Sequence, residues 1–412
     1  MNNDGMNDDL IRQFEEMLKT NENYFFDVEE YLDIIDEYLM VGNYHMAGKA
    51  IEIALSQYEK NVDILLYKAE LYSLQDQLTK AEEVIAELKS LEPDRIEIPM
   101  LEAELYSRRH MHHKAVKALQ DALQLPGSDK AEIYEMMTVE YMYMEDYRLA
   151  LETALQSLNY DEENTMALYN AVTCYDLLDE SEQAISFLKS FIQKMPFNEI
   201  AWSLLGKKYI DTGEYQQAIR ALDYAIAIDD HFLGAYYDKA YALTRLGEYE
   251  TAIDFYEYTL DIADPTAFTY YHIAKNYERL GDFSLAVKNY LMAINEDPAY
   301  YKAWIKLVRI KMYQQEFEQA LELTQKALEV VANSDLYELL GEINLKKNAY
   351  HKAVLAFEKS MELGNINLPV VLKLADLYKK TGEMEKFRAL LLSAKKQFPD
   401  SKEIKKLMQE RG

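Results

Sequence analysis

Apolar positions along this chain recur at helical spacing in stretches of about 12–14 residues, and the stretches come in pairs separated by short polar turns. The segment WSLLGKKY, from Trp202 to Tyr209, places Trp, Leu, Gly and Tyr at fixed intervals. The same pattern returns as YYDKAYALTRLGEYETAIDFYEYTL from Tyr236 and as YYHIAKNYERLGDFSLAVKNYLMAINEDP from Tyr270. A register of 34 residues aligns these segments and extends both ways. It gives starts at Val28, Val62, Ile96, Ala131, Thr165, Glu199, Leu233, Ala267, Tyr301, Ser334 and Leu368. The chain thus reads as eleven tandem units over residues 28–401, each predicted to be two helices and a turn.

The columns of this alignment have physical meaning. The twentieth position reads Ala47, Ala81, Ala115, Ala150, Ala184, Ala218, Ala252, Ala286, Ala320, Ala353 and Phe387. A side chain this small lets two helices approach closely. The eleventh position is tyrosine in most units, from Tyr38 and Tyr72 to Tyr277 and Tyr378, which supplies a wide ring with a polar tip. Glycine marks the turn at Gly42, Gly213, Gly247, Gly281 and Gly382, where a helix ends in the left-handed conformation. Proline closes several units, at Pro93, Pro196, Pro298 and Pro399.

These columns resemble the tetratricopeptide repeat family, whose signature is W-x2-L-G-x2-Y, then A-x3-F, then A and P. The sixth unit matches with Trp202, Leu205, Gly206, Tyr209, Ala218, Leu222 and Ala225, with Asp230 in place of the proline. The eighth matches with Tyr270, Ile273, Ala274, Tyr277, Ala286, Tyr290, Ala293 and Pro298. The third, fourth, tenth and eleventh units are degenerate: Pro99 falls early in a first helix, and Phe387 replaces the small residue. The resemblance implies an all-α fold, an α-solenoid in which helix-turn-helix units wind into one continuous right-handed superhelix. Terminal units need covers. Leu10, Phe14, Met17 and Leu18 form an apolar stripe on a helix of roughly 8–19, so residues 1–27 are expected to cap the start. Residues 402–412, with Ile404, Leu407 and Met408, are expected to cap the end, with Asp400 or Ser401 as N-cap.

Composition narrows the function. The chain is 49% hydrophobic and 28% charged, with only 13 Gly and 8 Pro in 412 residues. Its formal net charge of −28 repels nucleic acid and anionic membrane surfaces, so neither is expected as a partner. The charge is uneven: residues 1–50 hold 3 basic against 12 acidic residues, whereas residues 301–412 hold 20 against 15. That asymmetry leaves open a homo-oligomer. The single cysteine, Cys174, fits a reducing compartment and is expected to be a buried, inert thiol. The N-terminus MNNDGMNDDL lacks the basic and apolar regions of a secretory signal, and no apolar run approaches a span, so a cytoplasmic setting is expected.

A search for chemistry returns little. The P-loop, the dinucleotide glycine fingerprint and the Gly-x-Ser-x-Gly elbow are all missing, and one cysteine cannot build a zinc site. Neither enzymatic activity nor a cofactor is expected. The histidine cluster His110, His112 and His113 falls at a turn, with no carboxylate at matching spacing, and is expected to be solvated rather than metal-binding.

The resemblance also implies a binding groove, lined by the second, fifth, sixth, ninth and twelfth or thirteenth positions of each first helix. The ninth position reads Asp36, Glu70, Glu104, Val139, Thr173, Lys207, Tyr241, Lys275, Arg309, Glu342 and Asp376. It turns from acidic to basic at the sixth unit and back at the tenth. Lys207, Tyr237, Tyr241, Arg245, Tyr271, His272, Lys275, Arg279, Lys302, Lys306 and Arg309 therefore form a basic, tyrosine-rich candidate site for a protein or peptide partner carrying carboxylates. Some relatives clamp a terminal carboxylate with Lys and Asn, then Asn, then Lys and Arg. Here Lys302 and Lys306 fit the third pair, but His272 stands for Asn, and Tyr237 and Tyr241 for the first pair, so that specificity is not expected. The leading expectation is an interaction scaffold with a peptide-binding groove. A regulatory or assembly component acting through its ends is the alternative.

Overall fold

The computed structural model describes residues 4–20 and 24–409, and every regular element among them is an α-helix. The chain forms two compact units, Met1–Met195 and Pro196–Gly412. The first opens with α1 (Asp4–Thr20) and continues as pairs: α2 (Val28–Met40) with α3 (Tyr44–Gln57), α4 (Val62–Leu74) with α5 (Leu78–Leu91), α6 (Glu97–Arg108) with α7 (His112–Ala122), α8 (Lys130–Tyr143) with α9 (Tyr147–Tyr160), and α10 (Thr165–Leu177) with α11 (Ser181–Lys194). In the second unit α12 (Glu199–Asp211) pairs with α13 (Tyr215–Ile228), α14 (Leu233–Leu246) with α15 (Tyr249–Ile262), and α16 (Ala267–Leu280) with α17 (Phe283–Glu296). Then α18 (Tyr301–Tyr313) pairs with α19 (Phe317–Val330), α20 (Ser334–Lys346) with α21 (Tyr350–Glu362), and α22 (Leu368–Thr381) with α23 (Met384–Gln397), before α24 (Lys402–Gln409).

Every start read from the sequence, except Ile96 and Ala131, is the first residue of a helix. Those two are off by one: Ile96 is the N-cap of α6, and α8 begins at Lys130. Pro99 is tolerated because it lies in the first turn of α6, where its missing N–H has no intrahelical acceptor. Caps explain the starts elsewhere. The side chains of Asn61, Asn164 and Asn198 accept from the backbone of Ile64, Ala167 and Ala201, each a stabilisation of about 1 kcal/mol.

The turn inside each pair has one backbone solution. The five predicted glycines have φ between 72° and 86°. Where glycine is missing, Asp76, His110, Glu145, Asp179, Gln315 and Asn348 adopt the same left-handed region. Tertiary packing therefore imposes the turn whether or not the residue favours it.

The alanine column is the tightest feature of the fold. All ten alanines are fully inaccessible, and Phe387 is buried in the last pair. A second close approach lies at Gly206, where a Cβ would stand 2.6 Å from Leu222 Cγ. The two tryptophans make one repeated contact: Trp202 Nε1 donates to the Pro196 carbonyl at 2.9 Å, and Trp304 Nε1 to that of Pro298 at 2.9 Å. The first and last helices pack on their neighbours. Leu10, Phe14 and Met17 of α1 are buried against Tyr38 and its neighbours. Ile404 of α24 is buried among Leu391 and Ala394, after an N-cap at Ser401.

Candidate functional site

Three helices of the second unit, α14, α16 and α18, carry all the candidate site residues but Lys207, which lies on α12. Their floor is aromatic. The Tyr237 ring meets Phe268 edge-on with centroids 5.5 Å apart, and its hydroxyl is 2.9 Å from Thr269 Oγ1. Phe268 lies 4.3 Å from the His272 ring, which also meets Tyr256 at 5.4 Å and Tyr271 at 5.3 Å. Tyr271 in turn meets Tyr300 at 5.5 Å. The strip joins α14 to α16 and to the start of α18, and it rests on the core built around Tyr256 and Tyr290.

The cations surround this strip. Lys275 is held below its usual pKa by burial, then by Lys306 and Arg279, with Arg245 adding to the effect and Glu278 opposing it. Lys275, Arg279, Lys302 and Arg309 form no ion pair with any described residue. Arg245 donates to the Tyr241 hydroxyl at 3.0 Å and lies over the ring of Tyr215 at 5.2 Å. Like charges crowded on an aromatic surface repel one another, and a carboxylate placed among them relieves that repulsion.

Two sequence expectations change. Lys306 is not available as a second clamp cation, because its Nζ lies 3.1 Å and 3.2 Å from the two oxygens of Glu278. The other oxygen contact of Glu278 comes from the Tyr290 hydroxyl at 2.7 Å, so this carboxylate is fixed from two sides. His272 is not a cation at neutral pH. Burial first, then Lys275 and Lys302, bring its pKa down to about 4, so it faces the groove as a neutral donor and acceptor. Lys208, next to the candidate Lys207, is buried with its Nζ 2.7 Å from Asp211. Lys207 does face outward, beside Asp238, whose carboxyl burial raises and Lys207 partly lowers.

Sequence reasoning missed Phe268, Asp238 and Glu278. All three occupy groove positions of the register, so the signal was present. None of the three carries the positive charge by which this groove stands out in the sequence. The histidine turn differs as well: His112 Nδ1 lies 2.8 Å from the buried Glu140 of the next pair, and its ring stacks on Tyr143 at 5.2 Å. A carboxylate does meet this cluster, from 28 residues away. Cys174 is fully buried, and burial pushes its thiol up to about 11, which makes it unreactive. The metal-competent grouping among the described residues is Asp229, Asp230 and His231, on the turn before α14; the last two are exposed. No described helix is long and apolar enough to cross a membrane.

Comparisons with known proteins agree with the register. Tetratricopeptide repeat family models match residues 203–267, 269–300, 305–364 and 344–410. Comparison with curated proteins finds no match. Among solved structures, the chain is similar to the MamA protein, at 27% identity over 42% of this chain and 95% of that one, with a TM-score of 0.37. It is similar to the APC/C hetero-tetramer Cut9–Hcn1 at 14% identity, over 93% and 96% of the two chains, with a TM-score of 0.39. It is also similar to a tetratricopeptide repeat protein from Parabacteroides merdae at 16% identity, over 61% and 99%, with a TM-score of 0.44. The matched segments carry the same buried alanine and left-handed turn as the pairs before them, and the chain belongs to the tetratricopeptide repeat family, whose repeats generally mediate protein–protein interaction.

Proposed function

We propose that this protein is a non-enzymatic scaffold, and that the α14–α16–α18 face binds an acidic, extended segment of a partner protein. One observation carries the reading. In a chain of net charge −28, Lys275, Arg279, Lys302 and Arg309 stand together without carboxylate partners, around a strip of Tyr237, Phe268, His272 and Tyr271. Acidic residues are abundant in the sequence and Glu278 here is taken up by Lys306 and Tyr290, so the four cations left without an ion pair support a surface kept for an external anion. The aromatic strip adds rigid contact area at low entropic cost, and neutral His272 adds a hydrogen bond in the place where some relatives use Asn.

The test is fluorescence anisotropy with a labelled Glu/Tyr-rich peptide, on wild type and on a Lys275→Glu, Arg279→Glu, Arg309→Glu variant, alongside affinity capture. Unchanged affinity in the variant would sink the siting. Lys207 is left intact, because reversal there sets a second carboxylate against Asp238 and confounds binding with stability.

A second reading, self-association, draws on the exposed Lys395, Lys396, Lys402, Lys405 and Lys406 at the end of a chain whose first fifty residues are strongly acidic. Light scattering at low and high salt separates the two; a monomer indifferent to salt counts against assembly.

A further inference from the structure

The first unit holds the mirror image of this face. At the ninth register position, where the second unit has Lys207, Lys275 and Arg309, helices α2, α4 and α6 carry Asp36, Glu70 and Glu104. These helices pack side by side and, with the start of α8, line an open cavity of about 650 Å³. That volume lies within the range of ligand-binding pockets. Its walls are aliphatic, from Leu66, Met100, Leu101 and Met136, and its rim is acidic.

The rim charges are poorly compensated from within. Arg95, the one cation in the lining, is already engaged by Asp63 at 2.5 Å and Glu97 at 3.2 Å. Glu104 has Arg108 at 2.9 Å and Ser73 at 3.2 Å, whereas Asp36 has only the Tyr67 hydroxyl at 3.4 Å. Glu70, in the middle, forms no ion pair with a described residue. Burial, then Glu104 and Asp36, hold its carboxyl above the usual range.

We propose that this cavity docks a basic segment of a partner protein in which large aliphatic side chains alternate with lysine or arginine. The two halves of the site select for both features. Aliphatic walls left open to water gain from an apolar side chain, and mutually repelling carboxylates gain from cations. A metal ion fits poorly, since the rim carboxylates do not converge as the Asp229 grouping does. A bare polyamine would leave the walls uncovered. The inference does not rest on the acidic-segment reading of the second unit: it concerns another unit and the opposite charge.

The test uses the full chain and a labelled ten-residue lysine–leucine peptide, with lysine–serine and glutamate–leucine peptides as controls, all at 150 mM salt. The Lys–Leu peptide should bind at least about tenfold more tightly than the Lys–Ser peptide, and the Glu–Leu peptide should not bind at this cavity. Glu70→Lys, which places an attractive charge between Asp36 and Glu104 and so preserves the fold, should weaken Lys–Leu binding by about tenfold or more. Reversal of Lys275, Arg279 and Arg309 should leave it unchanged, which separates this site from the other. Equal binding of Lys–Ser and Lys–Leu, or indifference to Glu70→Lys, overturns the proposal in favour of attraction to a generally acidic chain. If residues 395–412 as a peptide displace the probe, and Glu70→Lys abolishes a concentration-dependent dimer in sedimentation, the occupant is a second copy and the partner-protein assignment is wrong.

Discussion

The α2–α4–α6 face and the α14–α16–α18 face are built from the same register, the same inaccessible alanine column and the same left-handed turns, yet they present opposite charge. In the first, Glu70 is pressed between Asp36 and Glu104; in the second, Lys275 is pressed by Lys306, Arg279 and Arg245. Each central group is pushed towards its neutral form, by burial and by neighbours of its own sign. The comparison teaches that packing columns and groove columns vary independently. Alanine at the twentieth position is constrained by helix approach, while the ninth position is exposed or half-buried and is free to change its charge.

The comparison makes its largest prediction where the two regions should not differ. Ala81→Leu in the first unit and Ala252→Leu in the second should each destabilise by about 3 kcal/mol, because added methylenes have no space in a fully closed contact. Chemical denaturation of both variants checks this; a marked inequality would break the idea of one shared scaffold. Gly206→Ala tests the same rule more gently. Helix propensity favours alanine by about 1 kcal/mol, but a Cβ 2.6 Å from the branched Leu222 Cγ forces a shift, so net destabilisation of about 1 kcal/mol is expected.

Next come the charges that differ. The triple reversal on α16 and α18 should weaken the acidic peptide by about 100-fold, or about 2.7 kcal/mol, while leaving the lysine–leucine probe alone. Anisotropy titrations with both peptides on one variant read both arms at once.

His272 sharpens the contrast through pH. Its folded pKa of about 4 lies below the ordinary value of 6.5, so between those values the unfolded chain binds a proton that the folded chain refuses. Its contribution is present in full above 6.5 and is lost as pH falls towards 4, by roughly 3 kcal/mol. Thermal melts of wild type and His272→Asn across that window should diverge on acidification, with the variant falling less.

The smallest effects concern the central charges themselves. Glu70→Gln and Lys275→Gln each remove a like-charge conflict, so each should raise stability, by about 0.5 kcal/mol, and each should lose affinity for its own probe. Calorimetry and binding on the same two variants decide it. A loss of stability in both would mean that these groups are held by internal partners after all.

Much of this molecule is legible from its letters. The positions of Ala47 to Ala353 and of the turn glycines follow from a 34-residue repeat, and the register places the start of each unit's first helix within a residue. The candidate site is less legible. The register names the groove positions, but three details depend on packing between helices: that Glu278 takes Lys306, that His272 is neutral, and that the Phe268 ring joins Tyr237 to His272. Long side chains of neighbouring pairs choose among several partners within reach, and sequence separation alone does not say which.

The sequence by itself determined the repeat, the helix pairs and the turns, because each depends on spacing within one unit or on small residues where helices touch. Tertiary structure alone decided which charges are spent and which remain available. Lys208 is buried against Asp211 while Lys207, one residue earlier, is exposed, and His112 finds Glu140 across a pair boundary. Ionisation depends on burial and on the distance between groups on different helices, and those quantities exist only once the pairs are stacked.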